Sequence, residues 1–206
     1  MSKMMDKAKN KKKVNKNLTE IVVILDRSGS MYELEKETIG GYNSFIEKQK
    51  KEDSEANLTT ILFDDEYEIL HDRVNLNDVN LLTEKDYYAR GMTALLDSIG
   101  KTIQNISRKI SNSERKNNPD KVIFVITTDG MENASSEFSN KQIKEMVEKQ
   151  RDENNWEFLF FGANIDSFDV GNSIGINHTH DYNATKSGIK ERDELMCYSV
   201  SEYRKK

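Results

Sequence analysis

One cysteine, one proline and one tryptophan occur in 206 residues, and the scarcity of cysteine is the most restrictive. Cys197 alone rules out an intrachain disulfide, and nothing in the sequence resembles a metal site with cysteine ligands or a cysteine–histidine catalytic pair. A reducing compartment, the cytoplasm, is the expected location. No run of about 18 apolar residues is present for a membrane span, and the lysine-rich N-terminus lacks the apolar stretch of a signal peptide. No glycine-rich phosphate loop of the nucleotide-binding type appears. Apolar residues are also few, 35% against 33% charged, a balance that would mean disorder if they were evenly spread. Three dense runs instead concentrate them where buried strands would need them: Ile21 to Leu25, Val122 to Ile126 and Phe158 to Phe161.

Charge is unevenly placed. The net charge is −5, yet residues 1–17 carry seven lysines against the single acid Asp6. A short basic run without interleaved aromatics reads as a solvated, disordered arm rather than a nucleic-acid or lipid contact. The folded domain is expected over 18–206, as one compact core.

The first apolar run reads as a strand, followed after Ser30 by a helix with Leu34, Ile39, Tyr42 and Ile46 near one face and Gly40-Gly41 weakening its middle. Leu58 to Phe63 is a second strand. The turn Asp64-Asp65-Glu66 leads straight into Tyr67 to Val74, and so short a connection joins only antiparallel neighbours. After Gly91, Leu96, Ile99, Ile103, Ile106 and Ile110 recur at intervals of three and four, the stripe of a helix lying on a sheet. A polar loop from Ser111 to Asn118 separates it from a strand at Val122 to Thr128. Ser139 caps a helix through about Arg151, Trp156 to Gly162 is a strand, Asp166 to Ile174 a short helix, His178 to Ala184 an edge strand, and Lys186 to Tyr203 a closing amphipathic helix. This alternation predicts an α/β, doubly wound fold: a mostly parallel central sheet with one antiparallel edge strand and helices on both faces. Ligands of such folds sit beyond the carboxyl ends of the strands.

Those ends carry oxygen. The first strand closes in Asp26-Arg27-Ser28-Gly29-Ser30, the strand at 122–128 in Thr127-Thr128-Asp129-Gly130, and Gly91-Met92-Thr93 brings a further hydroxyl to the start of the isoleucine-striped helix. Two carboxylates about 4 Å apart repel by about 4 kcal/mol at an effective dielectric near 20, a conflict that a cation resolves. Oxygen donors without histidine or cysteine favour a hard ion, Mg²⁺ or Mn²⁺. Helix capping is the other use such hydroxyls commonly have.

In these residues the sequence resembles the von Willebrand factor A (vWA) family, whose metal-ion-dependent adhesion site joins an Asp-x-Ser-x-Ser turn to a distant Thr and a distant Asp. The resemblance covers about residues 18 to 185 and falls on Asp26, Ser28, Ser30, Thr93 and Asp129. It implies a Rossmann-like fold in which Ser28, Ser30 and often Thr93 bind the metal directly while Asp26 and Asp129 act through water. The ion, kept electron-poor by neutral hydroxyls, then takes an Asp or Glu carboxylate from a protein partner. The runs at 127 to 133 and Gly40-Gly41-Tyr42-Asn43 look like those of small stand-alone prokaryotic members. Glu132 and Asn133 are expected on the rim of the site, shaping specificity or capping the following segment.

The function expected is therefore a non-enzymatic, metal-dependent binding module: a bacterial, cytoplasmic monomer that engages neither nucleic acid nor membrane. The alternative is a metal-dependent phosphohydrolase or phosphotransferase of the haloacid dehalogenase type, which also places an Asp after the first strand. That chemistry needs a second Asp two residues on as acid/base, and here the position holds Ser28. A serine hydrolase needs a histidine by the nucleophile, but His71, His178 and His180 fall in expected edge strands. His178-x-His180 is a conceivable zinc pair without further ligands.

Overall fold

The computed structural model describes residues 17–206. The basic segment expected over 1–17 lies, apart from Asn17, outside the described residues. Six strands, β1 (Thr19–Asp26), β2 (Ala56–Phe63), β3 (Tyr67–Asn75), β4 (Lys121–Thr128), β5 (Glu157–Ala163) and β6 (His178–Tyr182), alternate with five helices, α1 (Glu35–Gln49), α2 (Leu95–Asn112), α3 (Asn140–Asn154), α4 (Ser167–Ser173) and α5 (Lys186–Lys205). They form one sheet in the order β3-β2-β1-β4-β5-β6. All neighbours are parallel except β2 and β3, as the short turn between them requires. This is the Rossmann-like α/β arrangement read from the sequence.

Strands buried on both faces explain the unbroken apolar runs. Every residue of β1 is buried. Ile21, Val23 and Leu25 face α1 and α5, and Val22 and Ile24 face α2 and α3. The isoleucine stripe of α2 lies on the second of these faces with Ile99, Ile103 and Ile106 buried.

Helix boundaries depart from the sequence reading in two instructive places. Where the sequence predicts a helix after Ser30, the chain first makes a 3-10 turn, Gly29–Leu34, burying Met31 and Leu34, so that α1 begins only at Glu35. Gly40-Gly41 does not interrupt α1. Gly41 instead permits a close approach of α5, since a Cβ there would overlap the Asp193 carboxylate. The Tyr42 hydroxyl meets Thr60 Oγ1 at 2.6 Å, and Asn43 brackets Leu82, donating to its carbonyl and accepting from its amide. The second departure is at α2, which begins at Leu95 rather than directly after Gly91. Its approach, Gly91 to Ala94, is instead held by hydrogen bonds to other loops. Ser139 caps α3 as expected, in a capping box with Gln142.

Candidate metal site

β1 and β4 are adjacent in the middle of the sheet, and their register sets Leu25 beside Thr127, so Asp26 and the Thr128–Asp129 pair leave the sheet side by side. Asp26 is wholly buried and its carboxylate is fully engaged. Oδ1 accepts from the Ser28 amide at 2.7 Å and Oδ2 from the Thr128 hydroxyl at 2.6 Å. The Tyr87 hydroxyl donates to the Asp26 carbonyl at 2.6 Å. The two serines of the first loop lie with their hydroxyl oxygens 3.1 Å apart, and Ser30 Oγ donates to Asp129 Oδ1 at 2.6 Å.

Thr93 arrives from the third loop. It is buried, and its hydroxyl flanks Gly130 together with that of Ser30: a Cβ on Gly130 would sit 3.3 Å from Thr93 Oγ1 and 3.4 Å from Ser30 Oγ. Asn133 fixes Thr93 at both ends of its peptide, its side chain accepting from the Thr93 amide at 2.9 Å and its own amide donating to the Thr93 carbonyl at 3.0 Å. All five residues singled out in the sequence thus meet where the loops after β1, β3 and β4 converge.

Helix capping does not account for the hydroxyls of Ser28 and Thr93. Ser28 stands at the cap position of the 3-10 turn without a side-chain capping bond, and α2 is capped at Ala94 rather than Thr93. The free amides at the start of α2 are taken instead by Glu132, which accepts from Leu96, and by Ser135, which accepts from Asp97. Glu132 also accepts from the amides of Ala134 and Ser135 and from the Ser135 hydroxyl. Both Glu132 and Asn133 therefore brace the loop after β4 against α2.

Both carboxylates of the cluster, Asp26 and Asp129, are buried. Burial pushes the Asp26 carboxyl up to about 6, outweighing hydrogen bonds from Thr128 and Ser28, and the nearby Asp129 charge adds to the rise. Burial also raises Asp129 above the ordinary carboxylate range, opposed by the Ser30 hydrogen bond and the charge of Arg192. Arg192 is itself buried in α5, paired with Asp193, and its guanidinium carbon lies 5.1 Å from the centroid of the Tyr182 ring. The Tyr182 hydroxyl donates to the Thr128 carbonyl at 3.2 Å. Thr128, Tyr87 and the Arg192–Tyr182 pair were not singled out in the sequence. Thr128 stood in the quoted run beside Asp129, but nothing in the pattern marked Tyr87 or Arg192.

The donor set fits a hard divalent cation. It offers two carboxylates and three hydroxyls, all oxygen. Among the described residues no three His, Cys, Asp or Glu side chains gather around one point, so an ion held here would depend on the hydroxyls for most of its protein contacts. The His178-x-His180 pair gathers no further ligands: His178 pairs with Glu157, and His180 stacks on Phe161 with ring centroids 5.2 Å apart. These two histidines line a cleft of about 340 Å³ with Glu157 and Tyr203, at the strand ends opposite the candidate site.

Comparison with solved structures shows the fold. The vWF domain of the type V pili tip protein Mfa5 from Porphyromonas gingivalis superposes with a TM-score of 0.63 at 11% identity, over 88% of this chain and 94% of that one. Von Willebrand factor type A from Catenulispora acidiphila gives 0.58 at 11% identity, over 88% of this chain and 42% of that one. Proximal thread matrix protein 1 from the mussel byssus, in a structure described as having a zinc-occupied MIDAS motif, gives 0.59 at 13% identity, over 87% of this chain and 47% of that one. This chain thus spans less than half the length of the latter two. No family model matches the sequence, and no curated protein matches it. The chain has the von Willebrand factor A fold. Among the described residues no helix is long and apolar enough to cross a membrane.

Proposed function

We propose that this protein is a non-enzymatic binding module that holds Mg²⁺ or Mn²⁺ at the upper edge of the sheet and through it captures an Asp or Glu carboxylate of a protein partner. The observation that carries the reading is the convergence of three loops on one point, with Ser30 Oγ 3.1 Å from Ser28 Oγ, 2.6 Å from Asp129 Oδ1, and beside Gly130 with Thr93. Ser28, Ser30 and Thr93 would hold the ion by their hydroxyls, with Asp26 and Asp129 orienting water around it. A bound ion supplies an electrophilic position for an outside carboxylate. The protein's own part is to fix the donors: Thr128 and the Ser28 amide orient Asp26, Ser30 and Asp129 orient each other, and Asn133 holds Thr93.

A position two residues beyond Asp26 that holds Ser28 in place of an acid leaves no group to protonate a leaving group there, which favours capture over phosphoryl transfer. The domain is assigned to residues 18–206, acting as a cytoplasmic monomer without nucleic-acid or membrane contacts. The test is twofold. Mg²⁺ or Mn²⁺ should raise the melting temperature of the wild type, since a ligand binding only the folded state stabilises by about 2.7 kcal/mol at a hundredfold excess over Kd. A partner retained on the immobilised protein should be released by chelator. Metal-dependent phosphoester hydrolysis lost on Asp26→Asn would refute the reading in favour of the enzyme.

A further inference from the structure

The loop carrying Thr93 belongs to no helix or strand, so something outside regular structure must place its hydroxyl beside the first loop. We propose that Asp64, in the β2–β3 turn, is a positioning residue for the candidate ion site: its buried carboxylate ties the Asp26–Ser30 loop to the Thr93 loop. The proposal rests on the ion reading of that site.

Asp64 is wholly buried, and one of its oxygens, Oδ2, accepts from two arginines, Arg27 Nε at 2.9 Å and Arg90 Nε at 2.7 Å. Arg27 stands between Asp26 and Ser28. Arg90 stands three residues before Thr93. The same carboxylate therefore grips one residue of each donor loop. Main-chain bonds draw the two loops along the same line: Arg90 N donates to Arg27 O at 2.8 Å, Gly29 N to Gly91 O at 3.2 Å, and Ala94 N to Asp64 O at 2.9 Å. The next residue of the turn joins in, because Asp65 Oδ1 accepts from the Met92 amide at 3.1 Å. The Tyr88 ring covers both guanidiniums, with centroid distances of 6.0 Å for Arg27 and 5.6 Å for Arg90.

The charge of Asp64 matters, not only its shape. Oδ2 takes the two arginines while Oδ1 accepts from the Glu66 amide at 2.6 Å, so both oxygens face donors. An amide in its place has one acceptor and one donor end. In Asp64→Asn, whichever way the new side chain turned, its NH₂ would meet either the two guanidiniums or the Glu66 amide. Two cations would also lose the anion that holds them together. Arg90 is about one-third exposed and can swing into water, taking the Thr93 loop with it. Arg27 is 1% exposed and cannot.

The experiment is a double-mutant cycle on ion affinity, read by calorimetric Mn²⁺ titration of wild type, Asp64→Asn, Thr93→Ala and the double variant. Residues that orient metal ligands without touching the metal are worth about 10- to 100-fold in affinity, and Asp64→Asn should weaken Mn²⁺ by at least about tenfold. In the Thr93→Ala background the same change should cost less than about twofold, because Asp64 acts through Thr93. Wild-type affinity in Asp64→Asn, or fully additive losses, would overturn the proposal. Arg90→Gln touches only the partly exposed half of the bridge and serves where Asp64→Asn does not fold, with the same pattern expected. Ion-free hydrogen exchange separates this inference from the ion reading: the Met92 and Ala94 amides should exchange faster in either variant while β1 and β4 keep their protection. Unchanged exchange at those amides would overturn the positioning role even if the wild type bound no ion.

Discussion

Asp26→Asn should make the ion-free protein more stable while abolishing its response to metal. The native carboxyl is raised from an ordinary 3.8 to about 6, and a tenfold change in proton affinity is worth about 1.4 kcal/mol. Keeping Asp26 ionised in the folded state at pH 7.5 thus costs about 3 kcal/mol relative to the unfolded chain. Asparagine avoids that cost. Its carbonyl can accept from the Ser28 amide, and its NH₂ can donate to Thr128 Oγ1, whose proton is free to turn to the Gly130 carbonyl 3.1 Å away. Because the raised value already includes the hydrogen bonds from Thr128 and Ser28, the variant should gain about 3 kcal/mol, or ~6–12 °C in Tm for a chain of this size.

The assay is thermal and urea unfolding with chelator at several pH values. The sign follows from the raised value. Between about 4 and 6 the folded wild type binds more protons than the unfolded chain, so its stability falls as pH rises through that window and the advantage of Asp26→Asn grows with it. Below pH 4 the two proteins should unfold alike. Saturating Mg²⁺ should reverse the order at pH 7.5, stabilising the wild type alone. A variant less stable than wild type in chelator at pH 7.5 would refute the account of Asp26 as an acid held at a cost for the ion.

Asp129→Ala should remove, and Thr93→Ala should reduce, the rise in melting temperature produced by Mg²⁺ or Mn²⁺ while leaving the chelated protein folded by circular dichroism. Gly91→Ala should destabilise by about 1–2 kcal/mol, because φ is +67° and the new Cβ would overlap the Asp65 carboxylate; urea titration would measure it. Arg204→Met should cost about 3 kcal/mol in the same assay, because the buried guanidinium donates to the Gln49 carbonyl and side chain and to Ser54 and their lost donors leave buried acceptors unmet. A loss below about 1 kcal/mol there would mean that water replaces the side chain.

Much of the fold was legible because parallel interior strands must be apolar on both faces, and β1, β4 and β5 advertise themselves in uninterrupted runs such as Ile21 to Leu25. The five candidate residues stood out for a related reason: Asp26, Ser28, Ser30 and Asp129 end or follow a strand and Thr93 lies just before α2, where a polar residue has no packing duty to obscure it. What escaped was long-range and aperiodic. Asp64 read only as a turn residue, since its partners Arg27 and Arg90 lie 37 and 26 positions away. Thr128 bonds Asp26 across 102 positions, and Tyr87 reaches it across 61. The late start of α2 was hidden for the same cause, because Gly91 to Ala94 bonds to Gly29, Asp64 and Asn133 before any helical repeat can begin.

β1 is hydrogen-bonded along its length to β2 on one side and β4 on the other, and β4 in turn to β5. A partner tugging on the loops after β1 and β4 would load these two strands lengthwise, as bolts set in the middle of a plank rather than at its rim. Yielding would require whole ladders to shear together instead of unzipping one rung at a time.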